Sequence, residues 1–185
     1  MSIVQNGVEK LTYQDLLKMP EDRLRHEIID GMHVASPSPI LRHQDASKHI
    51  EFALYRQIEE QGIGRVYHAP VDVVFDETNV VVPDILVVLN KSLDILRERH
   101  LSGAPDLVVE ILSPSTSARD RGAKRELYER VGVGEYWVVD ANACWVDRYK
   151  LDTNGRYGEP ERHTDSIAFA GAQVDLKDVW RRLDL

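Results

Sequence analysis

At 185 residues, 43% hydrophobic and 29% charged, the chain is long enough to bury a substantial core and is expected to form one domain over residues 1–185. A formal net charge of −8 argues against loose, charge-driven coating of nucleic acid, while leaving room for a local basic groove. No stretch approaches the roughly 20 apolar residues of a membrane span, Met1 to Lys10 lacks the basic-then-apolar build of a secretory signal, and the single cysteine, Cys144, excludes an internal disulfide and any multi-cysteine metal site, so a cytoplasmic protein is expected.

In chain order, Thr12 is placed to cap a short helix, Tyr13 to Lys18, which Met19-Pro20 ends. The stretch His26 to Val34 reads as an N-terminal β-hairpin around Asp30-Gly31. Ser36 to Pro39 is a loop, and His43 to Gln61 carries helical spacing at Ile50, Ala53, Leu54 and Ile58, with Gly62 and Gly64 to stop it. Arg65 to Phe75 reads as one strand and Val80 to Leu89 as a second run, whose Pro83-Asp84 is expected at a bulge or strand edge. Asn90 to Gly103 reads as a partly helical connection. After it come a strand from Leu107 to Leu112 and a helix from about Ala118 to Val131, opened by a capping box at Ser117 to Asp120 and closed by Gly132 and Gly134. Glu135 to Asp140 and Cys144 to Leu151 are two more strands, Cys144 being read as a small buried hydrophobe, and Val174 to Leu183 is a short terminal segment. This order predicts an α/β fold, a mixed central β-sheet flanked by helices.

Three ionic residues break the apolar patterns. Glu110 stands inside the run Leu107 to Leu112, which otherwise reads as a strand buried on both faces, and an isolated carboxylate there needs a partner. On the next helix, Asp120, Ala123, Lys124, Leu127, Tyr128 and Val131 follow the spacing of a core-facing stripe, so Lys124 points toward the sheet. A lone lysine at a stripe's edge ordinarily snorkels, and an aspartate in a first turn ordinarily steadies a helix terminus. The short loop Ser113 to Thr116 nevertheless returns Lys124 toward Glu110, and two buried charges of opposite sign account for each other. Asp84, inside the run Val80 to Val88, is the third. Two carboxylates on adjacent strands suit Mg²⁺ or Mn²⁺, and a lysine beside them can orient water or stabilise developing charge, so the set reads as metal-assisted phosphodiester hydrolysis.

Pro83-Asp84, then Glu110, then a lysine resembles the Pro-Asp, Asp/Glu-x-Lys signature of the restriction-endonuclease-like nuclease superfamily. More closely, the run from Pro105 to Asp140, with "HEIIDG", "SPSPILRH" and "VVPDILVV" upstream, is similar to the Uma-two family of endonucleases. The resemblance implies a restriction-endonuclease-like core, Asp84 and Glu110 as metal ligands, and DNA ahead of RNA as substrate. Where the superfamily has lysine two residues after the glutamate, this chain has Leu112, and the resemblance implies that Lys124 takes the role. It further implies Glu27 as an extra ligand or hydrogen-bond partner, His43 as a supporting residue, and a homodimer with two sites for two strands.

From the residues alone, Glu27 reads almost equally as an exposed strand glutamate and His43 as a contact of nearby backbone. Tyr128 is expected in the core, where it could steady the lysine. His43 and His49 fall on different helix faces, which disfavours a two-histidine zinc site. Arg119, Arg121 and Arg125 concentrate positive charge beside the proposed metal and are candidates for nucleic-acid binding, with Arg97 and Arg99 nearby; a solvated face is the plainer account. A nuclease-fold module without activity, binding nucleic acid or a protein, is the alternative favoured by Leu112 and the acidic surface.

Overall fold

The chain opens with β1 (Ile3–Gln5) and β2 (Val8–Lys10), an antiparallel hairpin ahead of α1 (Tyr13–Leu16). The structure is a computed structural model describing residues 3–5, 8–20 and 22–183, so the reading of Met1 to Lys10 falls partly outside the described residues. The Asp15 carboxylate reaches back to the Thr12 N–H at 3.0 Å, which fixes the start of α1. β3 (Arg25–Ile29) and β4 (Met32–Ser36) form the expected hairpin. Asp30 and Gly31 take φ of 52° and 81°, the left-handed pair that a tight hairpin turn requires. α2 (Leu41–Leu54) runs on through a π-helical turn, Tyr55–Glu59, and buries Ile50, Leu54 and Ile58 as the spacing predicts.

Both long apolar runs then prove to be two strands each. Residues 64–76 divide into β5 (Gly64–His68) and β6 (Asp72–Asp76) around Pro70, and residues 79–89 into β7 (Asn79–Val81) and β8 (Ile85–Leu89) around Pro83. In each case the proline lacks the N–H that would continue a ladder, and the chain crosses from one sheet to another instead of bulging within one. Gly64 is also not a helix stop. It begins β5 opposite Leu89, and a Cβ on it would lie 2.4 Å from the Val88 carbonyl oxygen. Gly64→Ala is therefore expected to destabilise the protein by about 1–3 kcal/mol, read as a lowered urea midpoint, because backbone must shift to admit one methyl.

A 3-10 helix, Asn90–Ile95, and β9 (His100–Ser102) occupy the connection, followed by β10 (Leu107–Ile111). α3 (Ser117–Arg119), a π-helical turn (Asp120–Lys124) and α4 (Arg125–Val131) succeed one another without a break. Thr116, not Ser117, is the residue before the helix, and no side-chain capping bond forms there, so the predicted capping box is absent. The wide π turn also rotates Ala123 out to solvent, contrary to its predicted place on the stripe, while Asp120, Lys124, Leu127 and Tyr128 stay buried. β11 (Glu135–Asp140) and β12 (Trp145–Lys150) follow; Cys144 lies in the turn between them at φ 59°, half-buried. The terminal part holds more strand than predicted, with β13 (Glu161–His163), β14 (Ser166–Phe169) and β15 (Ala172–Asp175) before α5 (Leu176–Arg181).

The larger sheet has the order β13-β12-β11-β10-β8-β5, with β10 and β11 parallel and the remaining pairs antiparallel. A second, five-stranded sheet has the order β4-β3-β7-β6-β9 and is likewise mixed, while β1-β2 and β14-β15 are separate two-stranded sheets. On β10, Leu107, Val109 and Ile111 join a core with Ile50, Leu54 and Trp137, whereas Val108 joins a second core with Leu127, Tyr128 and Tyr136. Strand alternation therefore turns Glu110 the same way as Val108, toward the helix that carries Lys124. Among the described residues, no helix is long and apolar enough to cross a membrane.

Candidate active site

Asp84 sits at the crossing from β7 to β8 and is 3% exposed, fixed by three donors. Its Oδ1 accepts from Arg25 Nη1 at 2.8 Å, and its Oδ2 accepts from the Ile111 N–H at 2.8 Å and lies 3.1 Å from His43 Nε2. Burial raises its pKa, but the His43 hydrogen bond and the charges of His43 and Arg25 outweigh burial and hold the carboxyl down at about 2. The Ile111 bond ties the acid before β8 to the last residue of β10, next to Glu110.

Glu110 is fully enclosed, and its Oε1 accepts from Lys124 Nζ and from the Tyr128 hydroxyl, both at 2.7 Å. Lys124 is 1% exposed, so it does not snorkel, and its ammonium also meets Glu27 Oε1 at 2.7 Å. Glu27 is 0% exposed, which overturns the exposed-strand reading, and its Oε1 takes the Val82 N–H at 2.9 Å as well. Tyr128 steadies Glu110 rather than the lysine. Tyr128→Phe is expected to cost about 1 kcal/mol in urea unfolding, since Lys124 still serves the same oxygen.

Charge is unevenly shared here. One buried ammonium faces Glu27, Glu110 and Asp120; burial and this surplus of carboxylates push Glu110 up to about 8, against the opposing pull of Lys124. Burial lowers the Lys124 pKa, yet the same three acids outweigh it and hold the ammonium above its ordinary range. Asp120, 2% exposed, is raised mainly by burial, and its Oδ1 has no hydrogen-bond partner; neither has Glu27 Oε2, which lies 3.6 Å from Arg119 Nη2.

These groups surround a cavity of ≈ 170 Å³ walled by Arg25, His43, Asp84, Glu110, Arg119, Asp120 and Lys124 and by the two serine-proline loops, residues 36–39 and 113–116. Glu27 stands behind Lys124, off the cavity wall. Four acids, Asp84, Glu110, Glu27 and Asp120, meet three permanent cations, Arg25, Arg119 and Lys124. An unbalanced set of hard carboxylate oxygens, some without donors, is what a divalent ion fits. Among the described residues no three His, Cys, Asp or Glu side chains already stand in metal-binding geometry, and arginine and lysine each bond one oxygen of Asp84 and Glu110.

Of the candidates read from the sequence, Asp84, Glu110, Lys124, Glu27, Tyr128, His43 and Arg119 come together. His43 touches Asp84 and not merely backbone. Arg119 donates to Ser36 Oγ at 2.6 Å at the cavity edge. Arg121 and Arg125 do not join them: Arg121 lies over the Trp145 ring at 4.9 Å and Arg125 over Tyr149 at 5.8 Å, both on β12. Arg25 and Asp120 were missed as site residues. For Arg25 the available signal was the two-residue strand period, which puts it on the same face as Glu27.

Mixed sheets flanked by helices, framing a cavity with carboxylates and a buried lysine, make an α/β fold of the restriction-endonuclease-like kind. The chain belongs to the Uma2 family, described as "Putative restriction endonuclease", which matches it over residues 13–176. It is 28% identical over 152 residues to the uncharacterised protein slr1290 of Synechocystis sp. (strain ATCC 27184 / PCC 6803 / Kazusa), spanning 79% of this chain and 77% of that protein. The crystal structure of "a putative nuclease belonging to DUF820" from Anabaena variabilis ATCC 29413 has the same fold, with a TM-score of 0.78 at 22% identity over 94% of this chain and 99% of that one. The family's description is that of a restriction-endonuclease-like nuclease, and such nucleases generally use divalent metal ions.

Proposed function

We propose that the protein is a divalent-metal-dependent endonuclease acting on DNA in preference to RNA, with Asp84 and Glu110 holding Mg²⁺ or Mn²⁺ and Lys124 acting on the attacking water. The single observation that carries this reading is the meeting of Asp84, Glu110 and Lys124, 26 and 14 residues apart in sequence, around one small cavity. When bound, the ion supplies polarisation of the phosphoryl group and a lowered pKa for water. Lys124, fixed by Glu27 and Glu110, presents a permanent positive charge to the nucleophile and to the negative charge on the phosphoryl oxygens. Tyr128 fixes Glu110, His43 fixes Asp84, and Arg119 at the rim meets a non-bridging phosphate oxygen. Arg121 and Arg125, on the helix but turned against the aromatic rings of β12, lie too far round to share that contact, and serve duplex phosphates outside the cavity.

The family description, a restriction endonuclease, supports DNA as substrate and a homodimer that cuts both strands. The low cysteine content fits a cytoplasmic setting. A second reading, a nuclease fold retained for binding alone, is favoured by Arg25 on Asp84, because an acid so fully bonded also serves structure. Incubation of supercoiled plasmid with the protein separates the two. Nicking or linearisation in Mn²⁺ or Mg²⁺, abolished by EDTA and by Asp84→Ala, is expected; binding of plasmid without any cleavage would favour the second reading.

A further inference from the structure

We propose that Arg25 is a resident counter-cation that holds Asp84 while the site lacks its ion, and that the incoming divalent ion displaces it. This rests on the reading of Asp84 as a metal ligand. The guanidinium Nη1 stands 2.8 Å from Asp84 Oδ1 and 3.2 Å from the Val82 carbonyl oxygen, on the one side of the carboxylate that Ile111 and His43 leave open. An ion coordinated by Oδ1 would lie within a few ångströms of that guanidinium, a repulsion between a double and a single positive charge that a partly buried site screens poorly.

The two cations therefore compete for one carboxylate. Lys124 has no such freedom, since its ammonium is buried between two glutamates; Arg25 differs, with a side chain 24% exposed. Arg25, His43 and Asp84 also wall a second, larger cavity of ≈ 830 Å³, so the guanidinium borders both spaces and the larger one is where it would go on release. Released there, it faces the path by which a phosphodiester reaches Asp84. Arg25 is a positioning residue: it holds the acid in place before the ion arrives, at the expense of ion affinity.

The test is calorimetric titration of the full chain with Mn²⁺, alongside thermal melting with and without Mn²⁺. Arg25→Gln keeps a hydrogen-bond donor for Asp84 without the charge, Arg25→Ala removes both, and Arg119→Gln removes a cavity cation that does not touch Asp84. Both Arg25 variants are expected to bind Mn²⁺ at least about tenfold more tightly than wild type, to melt lower without Mn²⁺, and to gain more from it; a tenfold change corresponds to about 1.4 kcal/mol. Arg119→Gln is expected to change affinity less. Equal or weaker binding by Arg25→Gln overturns the proposal, as does an equal gain in Arg119→Gln, which would make the effect one of general charge. Absence of Mn²⁺ binding in every protein, wild type included, would instead defeat the metal-dependent reading itself.

Discussion

Lys124→Met is expected to lower stability by about 3–5 kcal/mol near neutral pH, the usual consequence of removing one partner from a buried ion pair. Methionine retains the length and apolar stem of the lysine, so packing loss is small and the effect isolates the charge. Two carboxyl groups at 0% and 2% exposure, Glu27 and Glu110, lose the cation that lies 2.7 Å from each. The loss should depend on pH with a definite sign. Burial already pushes Glu110 from 4.5 up to about 8 with the lysine present. A carboxyl raised in the folded state favours folding fully only below its unfolded value, and that contribution is lost as pH rises through the folded value. The variant should therefore be least impaired below about pH 4.5 and most impaired above about pH 8. Chemical denaturation across that range checks it. Adding Glu27→Gln to Lys124→Met should recover much of the loss, because one stranded charge is then neutral; a double variant no more stable than the single would mean that the carboxylates are not what Lys124 compensates.

Glu110→Gln is expected to reduce plasmid cleavage by at least about 10²-fold while leaving the fold intact. Substitution of groups that merely support metal ligands typically costs 10–100-fold, so loss of a ligand oxygen should cost at least the upper end of that range. Stability should hold within about 1 kcal/mol, because a glutamine carbonyl can still accept from Lys124 and Tyr128 and the site loses a surplus negative charge. Activity and stability thus part company in this variant, and move together in Lys124→Met. Cleavage by Glu110→Gln at the wild-type rate would remove Glu110 from the chemistry whatever its place in the fold.

The site was legible where charge contradicted pattern. Glu110 in an apolar strand and Lys124 on an inward stripe each made poor sense alone, and the structure joins them at 2.7 Å. Asp84 was legible for the same reason. Arg25 gave no such contradiction, because an arginine at the start of a hairpin strand reads as solvent-facing and only the tertiary fold brings Asp84 beside it. Asp120 was seen on the stripe but read as a helix-terminus carboxylate, and the π turn that buries it leaves no mark on hydrophobic spacing. Arg121 and Arg125 share a helix with Lys124, yet helical rotation carries them to the aromatic side chains of β12.

The fold followed similar limits. The β3–β4 hairpin was plain from Asp30-Gly31, whose left-handed dihedrals few other pairs adopt readily. The division of residues 64–89 into four strands was not, because alternation reports which side chains are buried and not which sheet a strand joins. Pro70 and Pro83 were the local signs of each crossing. β13, β14 and β15 are three or four residues long, too short for a period-2 pattern to stand out.

If Asp84 and Glu110 share one divalent ion, calorimetric titration with Mn²⁺ should show stoichiometric binding by wild type and its loss in Asp84→Ala. No binding by wild type, or binding of equal affinity in both proteins, would mean that the two acids do not hold an ion together.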